Sequence, residues 1–313
     1  MNSLPIGYRF GLVLLALLAG SPWLPPWLLF MLTIAAANGL VVLGCMLFYR
    51  AGLVSFGQAL YFCTGAYTTG LVTNLLGVTD VLLLLGLSGL AGGLLAYLVG
   101  FLLARYRGIF FGLLSMAFSM ILYGVLTKSE SLGSTDGFNV PAFTLLGFEP
   151  DQPQVRFTLL AVAVAVIWLV SLVTDRFLRS PYGPLLVAIH DNEIRTEYMG
   201  ASAKNTVHLV YVAAGILAGM GGCIGATAVG HIDPTMAYWT TSGEFVFITI
   251  MAGVGSVVAP FLGALVFGII YTIAFSESPN TWQMVLGASL IAVILLLPNG
   301  LWSLLAKRKG AQA

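Results

Sequence analysis

The stretch Trp27–Tyr49, WLLFMLTIAAANGLVVLGCMLFY, contains no charged residue and lies between Pro26 and Arg50. The hydrocarbon core of a bilayer is about 30 Å thick, and a helix needs about 20 predominantly apolar residues to cross it. This stretch is therefore long enough to form one membrane-spanning helix. The rest of the chain repeats the pattern, because hydrophobic residues make up 59% of its 313 residues and charged residues only 8%.

The overall composition excludes an ordinary soluble domain. Such a domain carries about 25% charged residues, because its side chains must face water. A mean hydropathy of +0.98 indicates that most of this chain's surface faces lipid. Its 37 glycines suit packed membrane helices, where small residues let backbones approach closely. A net charge of +1 offers no basic face for nucleic acid. We therefore predict an all-α, polytopic integral membrane protein.

Apolar runs separated by charged or turn residues predict about ten membrane segments, with a range of eight to ten. They form a single transmembrane domain over residues 1–313. The first run is short, and the third is interrupted by several glycines. The runs are residues 10–20, 27–49, 52–78, 81–104, 108–127, 157–174, 207–229, 242–275 and 282–305.

The late run 242–275 is too long for one straight crossing, because a helix rises about 1.5 Å per residue. We expect it to break into two short membrane segments. The residues expected to form the broken element are the glycines Gly253, Gly255 and Gly263, with Pro260 nearby.

Basic residues predict the orientation, because loops rich in Lys and Arg stay cytoplasmic. With two crossings in the late run, all of the 13 lysines and arginines except Lys128 and Arg156 fall on one side. This side includes the C-terminal Lys307, Arg308 and Lys309. We therefore expect both termini to lie in the cytoplasm. Residues 128–156 form an external loop and residues 175–206 a cytoplasmic segment.

The sequence offers no motif for catalysis. It contains no G-x-x-x-x-G-K-[ST] phosphate loop, no H-E-x-x-H and no C-x-x-C, and its three histidines are far apart. Its three cysteines lie in apolar stretches, where they are expected to pack as small core residues. We predict neither an enzyme nor a metal site.

Ionisable residues inside a membrane usually mark proton relays or ion sites. Asp80, Asp233, Glu244 and Glu277 all fall near predicted span ends, toward the outside. This placement disfavours proton-coupled transport. Sodium coupling can use backbone carbonyls at broken helices, so an ion-coupled secondary carrier of small polar solutes remains an alternative. A passive channel is a third.

The cytoplasmic segment contains a predicted helix over Leu185–Met199, which opens after Pro184 and ends at Gly200. Asp191 and Arg195 stand four residues apart with the acid first, which favours a helical ion pair. Such a helix between two spans is suited to dock in a groove of another protein. A solvated connecting loop is the alternative.

Short motifs in a fixed order extend along most of the chain, from about residue 40 to residue 305. They are Gly52–Leu60 with Gly65–Tyr67, Phe111–Phe118, Ser134–Gly137, Ser180–Gly183, Ala188–Glu193, Met199–Gly200, Gly253–Ser256 with Pro260, and Leu297–Leu301. In this order the sequence resembles the LivM-type permeases of branched-chain amino-acid ABC importers. It departs from them at Val187 and His190, where relatives often carry arginine, and at Ser134, where glycine is common.

The resemblance implies a multi-pass subunit of the bacterial inner membrane that forms the translocation path and couples to separate ATPases. Its partners would be a second homologous, LivH-type permease, two cytoplasmic ATPase subunits that bind the ATP, a periplasmic or lipid-anchored binding protein, and membrane lipid. This chain itself would hold no cofactor. Related importers also carry urea, amides or aromatic acids. The residues implied to contact the ATPase are Pro181, Gly183, Ile189, Asp191, Glu193, Glu197 and Gly200.

Polar residues within the predicted spans are candidates to line the path. A hydrogen bond between packed helices is the equally open interpretation for each of them. The candidates are Asn38, Gln58, Thr64, Thr68, Ser115 and Ser119.

Overall fold

The computed structural model describes residues 6–277, 281–297 and 300–304. Two strands of two residues each, β1 (Phe138–Asn139) and β2 (His231–Ile232), pair antiparallel; almost all other regular structure is helical. The predicted all-α class is confirmed. The helices of the described part are α1 (Ile6–Gly20), α2 (Pro26–Arg50), α3 (Gln58–Leu76), α4 (Val81–Leu103), α5 (Gly108–Lys128), α6 (Gln152–Arg179), α7 (Tyr182–Tyr198), α8 (Ala203–Val229), α9 (Trp239–Ala252), α10 (Ala259–Glu277) and α11 (Trp282–Leu296).

Within the described residues, six helices are long and apolar enough to cross a membrane. They confirm a polytopic membrane protein, and the exact number of crossings stays a prediction. Two shorter apolar helices, Phe10–Gly20 and Trp282–Leu296, accompany them. The six are Pro26–Arg50, Val81–Leu103, Gly108–Lys128, Gln154–Arg179, Ala203–Val229 and Ala259–Glu277.

The centre of the bundle is α8, which packs against α2, α3 and α4. Glycines make this packing possible. A Cβ placed on Gly222 would clash with the carbonyl oxygen of Phe62 in α3, and one on Gly65 would clash with the backbone of Gly219. The helices therefore touch backbone to backbone, as small residues allow in membranes.

One end of the bundle, which we call the loop end, is closed by three interlocked connections. The Val81 N–H donates to the Thr144 carbonyl at 2.9 Å, and the Val140 N–H donates to the Gly230 carbonyl at 3.0 Å. The His231 ring lies 2.9 Å from the Asn139 side chain. The loop between α5 and α6, predicted at 128–156, is therefore an ordered loop that covers this end of the bundle. Its last residues already belong to α6.

The opposite end, which we call the basic end, carries α7. Arg50, the last residue of α2, donates to the Val254 carbonyl at 2.7 Å. Arg107, just before α5, pairs with Glu193 of α7. The ends of α2, α4 and α9 therefore lie at the same level as α7. The C-terminal Lys307, Arg308 and Lys309 of the orientation argument lie outside the described residues.

Two predicted segments differ in detail from the structure. The third apolar stretch, 52–78, becomes helical only at Gln58. Residues 51–57 before it form an irregular segment, in which Gly52 has a positive φ. The late run breaks into α9 and α10, as predicted, at Gly253 (φ 82°) and Gly255. Gly263 does not belong to the break. It lies inside α10, where a side chain would collide with Ala252, so its role is close packing.

Candidate translocation and coupling sites

Three elements meet in the interior, where the irregular segment 51–57 leads into α3. The Ser115 hydroxyl of α5 accepts from the Phe56 N–H at 3.0 Å and donates to the Gly112 carbonyl at 2.8 Å. The Ser242 hydroxyl of α9 accepts from the Ala59 N–H at 3.0 Å. Both serines are fully buried. The Ser242 hydroxyl therefore satisfies one of the N–H groups that the start of α3 leaves unpaired, and the Ser115 hydroxyl holds the irregular segment just before it. We call this place the polar junction.

The start of α9 lies deep in the bundle. The Ser119 hydroxyl donates to the Ala237 carbonyl at 2.8 Å, and Ser119 stands near the middle of α5. The segment after β2 therefore descends from the loop end to about half the depth of the bundle before α9 begins. Consequently α3 and α9 both begin within the helix bundle, close to each other. Helix N-termini carry partial positive charge, which favours anionic groups.

The Gln58 side chain is the unsatisfied group at the junction. It is fully buried, and neither its Nε2 nor its Oε1 has a hydrogen-bond partner in the described structure. An orphaned buried amide is costly, because it has given up its bonds to water. Three of the six predicted path residues, Gln58, Ser115 and Ser119, are therefore brought together here. Ser242 completes the junction and was missed, because nothing local distinguishes it from other serines in apolar helices.

The other three predicted path residues lie elsewhere. Thr64 and Thr68 are half-buried on one face of α3, and each hydroxyl donates to the carbonyl four residues earlier, at 2.7 Å. This is an ordinary hydrogen bond within a helix. Asn38 faces a separate groove of about 500 Å³ between α2 and α10, which Arg156 also lines.

Trp239, the first residue of α9, lines two cavities. The first, about 570 Å³, is almost wholly apolar and lies between the irregular segment and the start of α5, with Phe56 and Met116 in its wall. The second, about 390 Å³, lies between α9, α10 and α11 and contains Glu244. The prediction that Glu244 lies near an outer span end is wrong. Because α9 starts half-way along α5, Glu244 lies deeper than that end, half-buried in the wall of the second cavity.

At the basic end, α7 packs onto the bundle through its inner face. Leu186 and Ile189 are buried, and Gly183 lies against the backbone of Leu178. The helix begins at Tyr182, three residues before the predicted start, and ends at Tyr198, shortly before Gly200, whose φ of +90° suits the predicted glycine. Ile189 is directed into this chain, so it is not available for a partner in this conformation.

Asn192 interrupts α7 with an extended backbone (φ −161°, ψ 97°). The kink breaks the spacing on which the predicted Asp191–Arg195 pair depends, and the Asp191 carboxylate lies 3.5 Å from His190 instead. Glu193, one of the residues implied to contact the ATPase, forms a two-bond ion pair with Arg107 at 2.7 and 2.8 Å. This pair joins α7 to the start of α5.

The outer surface of α7 combines exposed apolar and acidic side chains, and we call it the coupling surface. Ile194, Tyr198 and Met199 are 69, 88 and 81% exposed. The predicted contact residues that are exposed are Pro181, Asp191, Glu197 and Gly200. Exposed large apolar side chains rimmed by charge mark protein interaction sites. Among the described residues, no group of three potential metal ligands is present.

Interrupted helices that begin within an apolar bundle, together with a separate helix at one end, are typical of polytopic membrane transport proteins. The chain belongs to the family described as "Branched-chain amino acid transport system / permease component", which matches residues 27–294.

Two relatives are each named "High-affinity branched-chain amino acid transport system permease protein LivM". The protein of Escherichia coli (strain K12) is 25% identical over 276 residues, covering 80% of this chain. That of Salmonella typhimurium (strain LT2) is 24% identical over 274 residues, also 80% of this chain. The match covers 64% of each relative's own length. No solved structure matches the chain.

Proposed function

We propose that this chain is a permease subunit of an ATP-driven importer of branched-chain or related neutral amino acids. Membership of the permease family supports this function. The observation that carries it is the polar junction, where α3 and α9 begin side by side within the helix bundle. Broken helices whose N-termini point at the substrate are a recurrent device for binding a carboxylate at mid-membrane.

The chemistry of the junction suits a small amino acid. Helix N-termini and the unpartnered Gln58 amide can accept a carboxylate without a buried cation. The apolar cavity beside Phe56 has room for an aliphatic side chain. The path would therefore pass between the irregular segment, α5 and α9, with Gln58, Ser115 and Ser119 beside it.

For the topology we propose ten crossings, made by every described helix except α7. The basic end would face the cytoplasm, because Arg50, Arg105, Arg107, Arg176 and Arg179 lie there. Both termini would be cytoplasmic, the loop end would face the periplasm, and the whole chain would form one permease domain in the bacterial inner membrane.

We assign coupling to α7. Two cytoplasmic ATPase subunits would bind the ATP, and one would receive the coupling surface of α7 in a groove. The Arg107–Glu193 pair would then transmit movement of α7 to α5, whose Ser115 and Ser119 hold the polar junction. A second, LivH-type permease and a periplasmic or lipid-anchored binding protein would complete the importer.

One observation favours a second function. Glu244 lies half-buried in a largely apolar cavity between α9, α10 and α11, and carboxylates within a membrane commonly serve proton or ion coupling. An ion-coupled secondary carrier is therefore the competing assignment.

The two functions are separated by what drives uptake. The tagged chain should be purified in detergent, its co-purifying subunits identified by mass spectrometry, and the complex reconstituted into proteoliposomes with the binding protein. We expect uptake of labelled L-leucine only with ATP, and none when the phosphate-loop lysine of the ATPase is replaced by alanine. Uptake by this chain alone, driven by a proton or sodium gradient, would overturn the proposal.

A further inference from the structure

The cavity between α9, α10 and α11 has the composition of a binding site for an amine. It measures about 390 Å³ and contains one carboxylate, one hydroxyl and one side-chain amide among aromatic rings. A cation is bound well by such a combination, because ring faces and a carboxylate both attract positive charge. Its main lining residues are Trp239, Thr240, Glu244, Phe247, Trp282 and Gln283.

Glu244 is the only carboxylate in this cavity, and no described cation pairs with it. The start of α9 is anchored half-way along α5, and its end lies at the level of Arg50 and Val254. Glu244, in the first half of this helix, is thus separated from both ends of the bundle. A carboxylate at such depth is costly unless something neutralises it.

We infer that this cavity binds the α-ammonium group of the transported amino acid, with Glu244 as the counter-ion. The identity of the amine rests on the function proposed above. Trp239 and Trp282 supply ring faces, while the Thr240 hydroxyl and the Gln283 amide oxygen can accept hydrogen bonds from the ammonium group.

The placement also explains how a zwitterion is accommodated. The cavity wall includes the first turn of α9, so the partial positive charge of that helix end lies one turn away from the Glu244 carboxylate. The substrate carboxylate is drawn to the helix end and its ammonium group to Glu244. A single carboxylate with one hydroxyl and one amide is a poor ligand set for a divalent cation, so an organic amine is the better occupant.

A hydrophobic carbodiimide tests occupancy directly, because it adds to membrane-embedded carboxyl groups and leaves a stable N-acylurea that peptide mass spectrometry locates. The complete importer in nanodiscs should be treated with dicyclohexylcarbodiimide alone, or with millimolar L-leucine, isopentylamine or 4-methylpentanoate. We expect modification of Glu244, protection by leucine and isopentylamine, and no protection by 4-methylpentanoate, which lacks the amine. Equal modification in all four samples would overturn the inference. So would complete lack of modification, because the carboxylate would then have a permanent partner.

Transport provides the second measurement. In proteoliposomes, Glu244→Gln should lower leucine uptake per ATP hydrolysed by about ten-fold, the effect of losing one charge-assisted hydrogen bond. The matched control is Glu277→Gln, a carboxylate exposed at the end of α10, which should transport like the wild type. If the wild type takes up leucine and Glu244→Gln takes it up equally well, the inference is overturned and the proposed function stands. Absence of leucine uptake by the wild type would instead count against the proposed function.

Discussion

The ion pair between Arg107 and Glu193 provides the sharpest test of the coupling mechanism, because it links α7 to the helix that holds the polar junction. Arg107 donates to Glu193 through Nε at 2.7 Å and through Nη2 at 2.8 Å. Its Nη1 also donates to the carbonyls of Ala104 and Tyr106, at 2.8 Å each. The guanidinium thus holds the connection between α4 and α5 in one shape while it binds α7.

The expected energy follows from this geometry. A hydrogen bond to a charged group contributes about 1.5–3 kcal/mol when it is shielded from water. The two side chains are 27 and 31% exposed, so solvent screening lowers the value. About 1–2 kcal/mol remains for the pair, which corresponds to a factor of about 5–30 in the population of the linked conformation.

The assay is the ratio of leucine transported to ATP hydrolysed by the reconstituted importer. Glu193→Gln and Arg107→Gln should each lower this ratio about five-fold or more, while ATP hydrolysis continues. The double variant should be no worse than either single one, because both remove the same interaction. Exchanging the charges (Arg107→Glu with Glu193→Arg) should restore part of the ratio. The control Glu130→Gln lies exposed at the loop end and should have no effect. Normal coupling in both single variants would refute the proposed link.

Three further predictions follow from the packing. Gly222→Ala should lower the melting temperature of the purified complex, because the added Cβ would clash with Phe62 and overpacking costs about 1–3 kcal/mol. The control Gly86→Ala should leave the melting temperature unchanged, because no atom lies within 4 Å of the added Cβ. Equal melting temperatures of the two variants would contradict backbone contact between α3 and α8. Ser242→Ala should destabilise the chain by about 1–3 kcal/mol, because the buried Ala59 N–H loses its acceptor, and Ser242→Thr should retain part of the stability. Cys45, Cys63 and Cys223 are buried and should not react with an impermeant thiol reagent. In cells with a permeabilised outer membrane, a cysteine placed at the exposed Thr135 should react with this reagent, whereas one placed at Asp191 should react only after lysis. The reverse labelling pattern would contradict the proposed topology.

Much of the architecture could be predicted from local patterns. The helix over residues 26–50 and the break at Gly253 follow from apolar length and from glycine placement, which are properties of short stretches. The same holds for α7, which stops shortly before Gly200. These features could be predicted because lipid and water impose their demands on each segment separately.

The depth of each helix start could not be predicted in this way. Hydropathy shows that Glu244 follows a polar connection, and therefore suggests a position near the membrane surface. The Ser119–Ala237 hydrogen bond shows instead that this connection descends into the bundle. Likewise, Ile189 and Glu193 looked available to a partner, and only the packing of α7 shows that one is buried and the other is bound to Arg107.

The sequence by itself determined that this is an all-α membrane protein with a broken late element, a basic end and a helix suited to docking, because each of these depends on the composition of a contiguous stretch. Only the tertiary structure decided that α3 and α9 begin beside each other, that Gln58 is left unpaired and that Glu244 lies in the interior. These properties depend on contacts between residues more than a hundred positions apart, such as Ser242 with Ala59. A hydroxyl on one helix can cap another only when packing brings the two together.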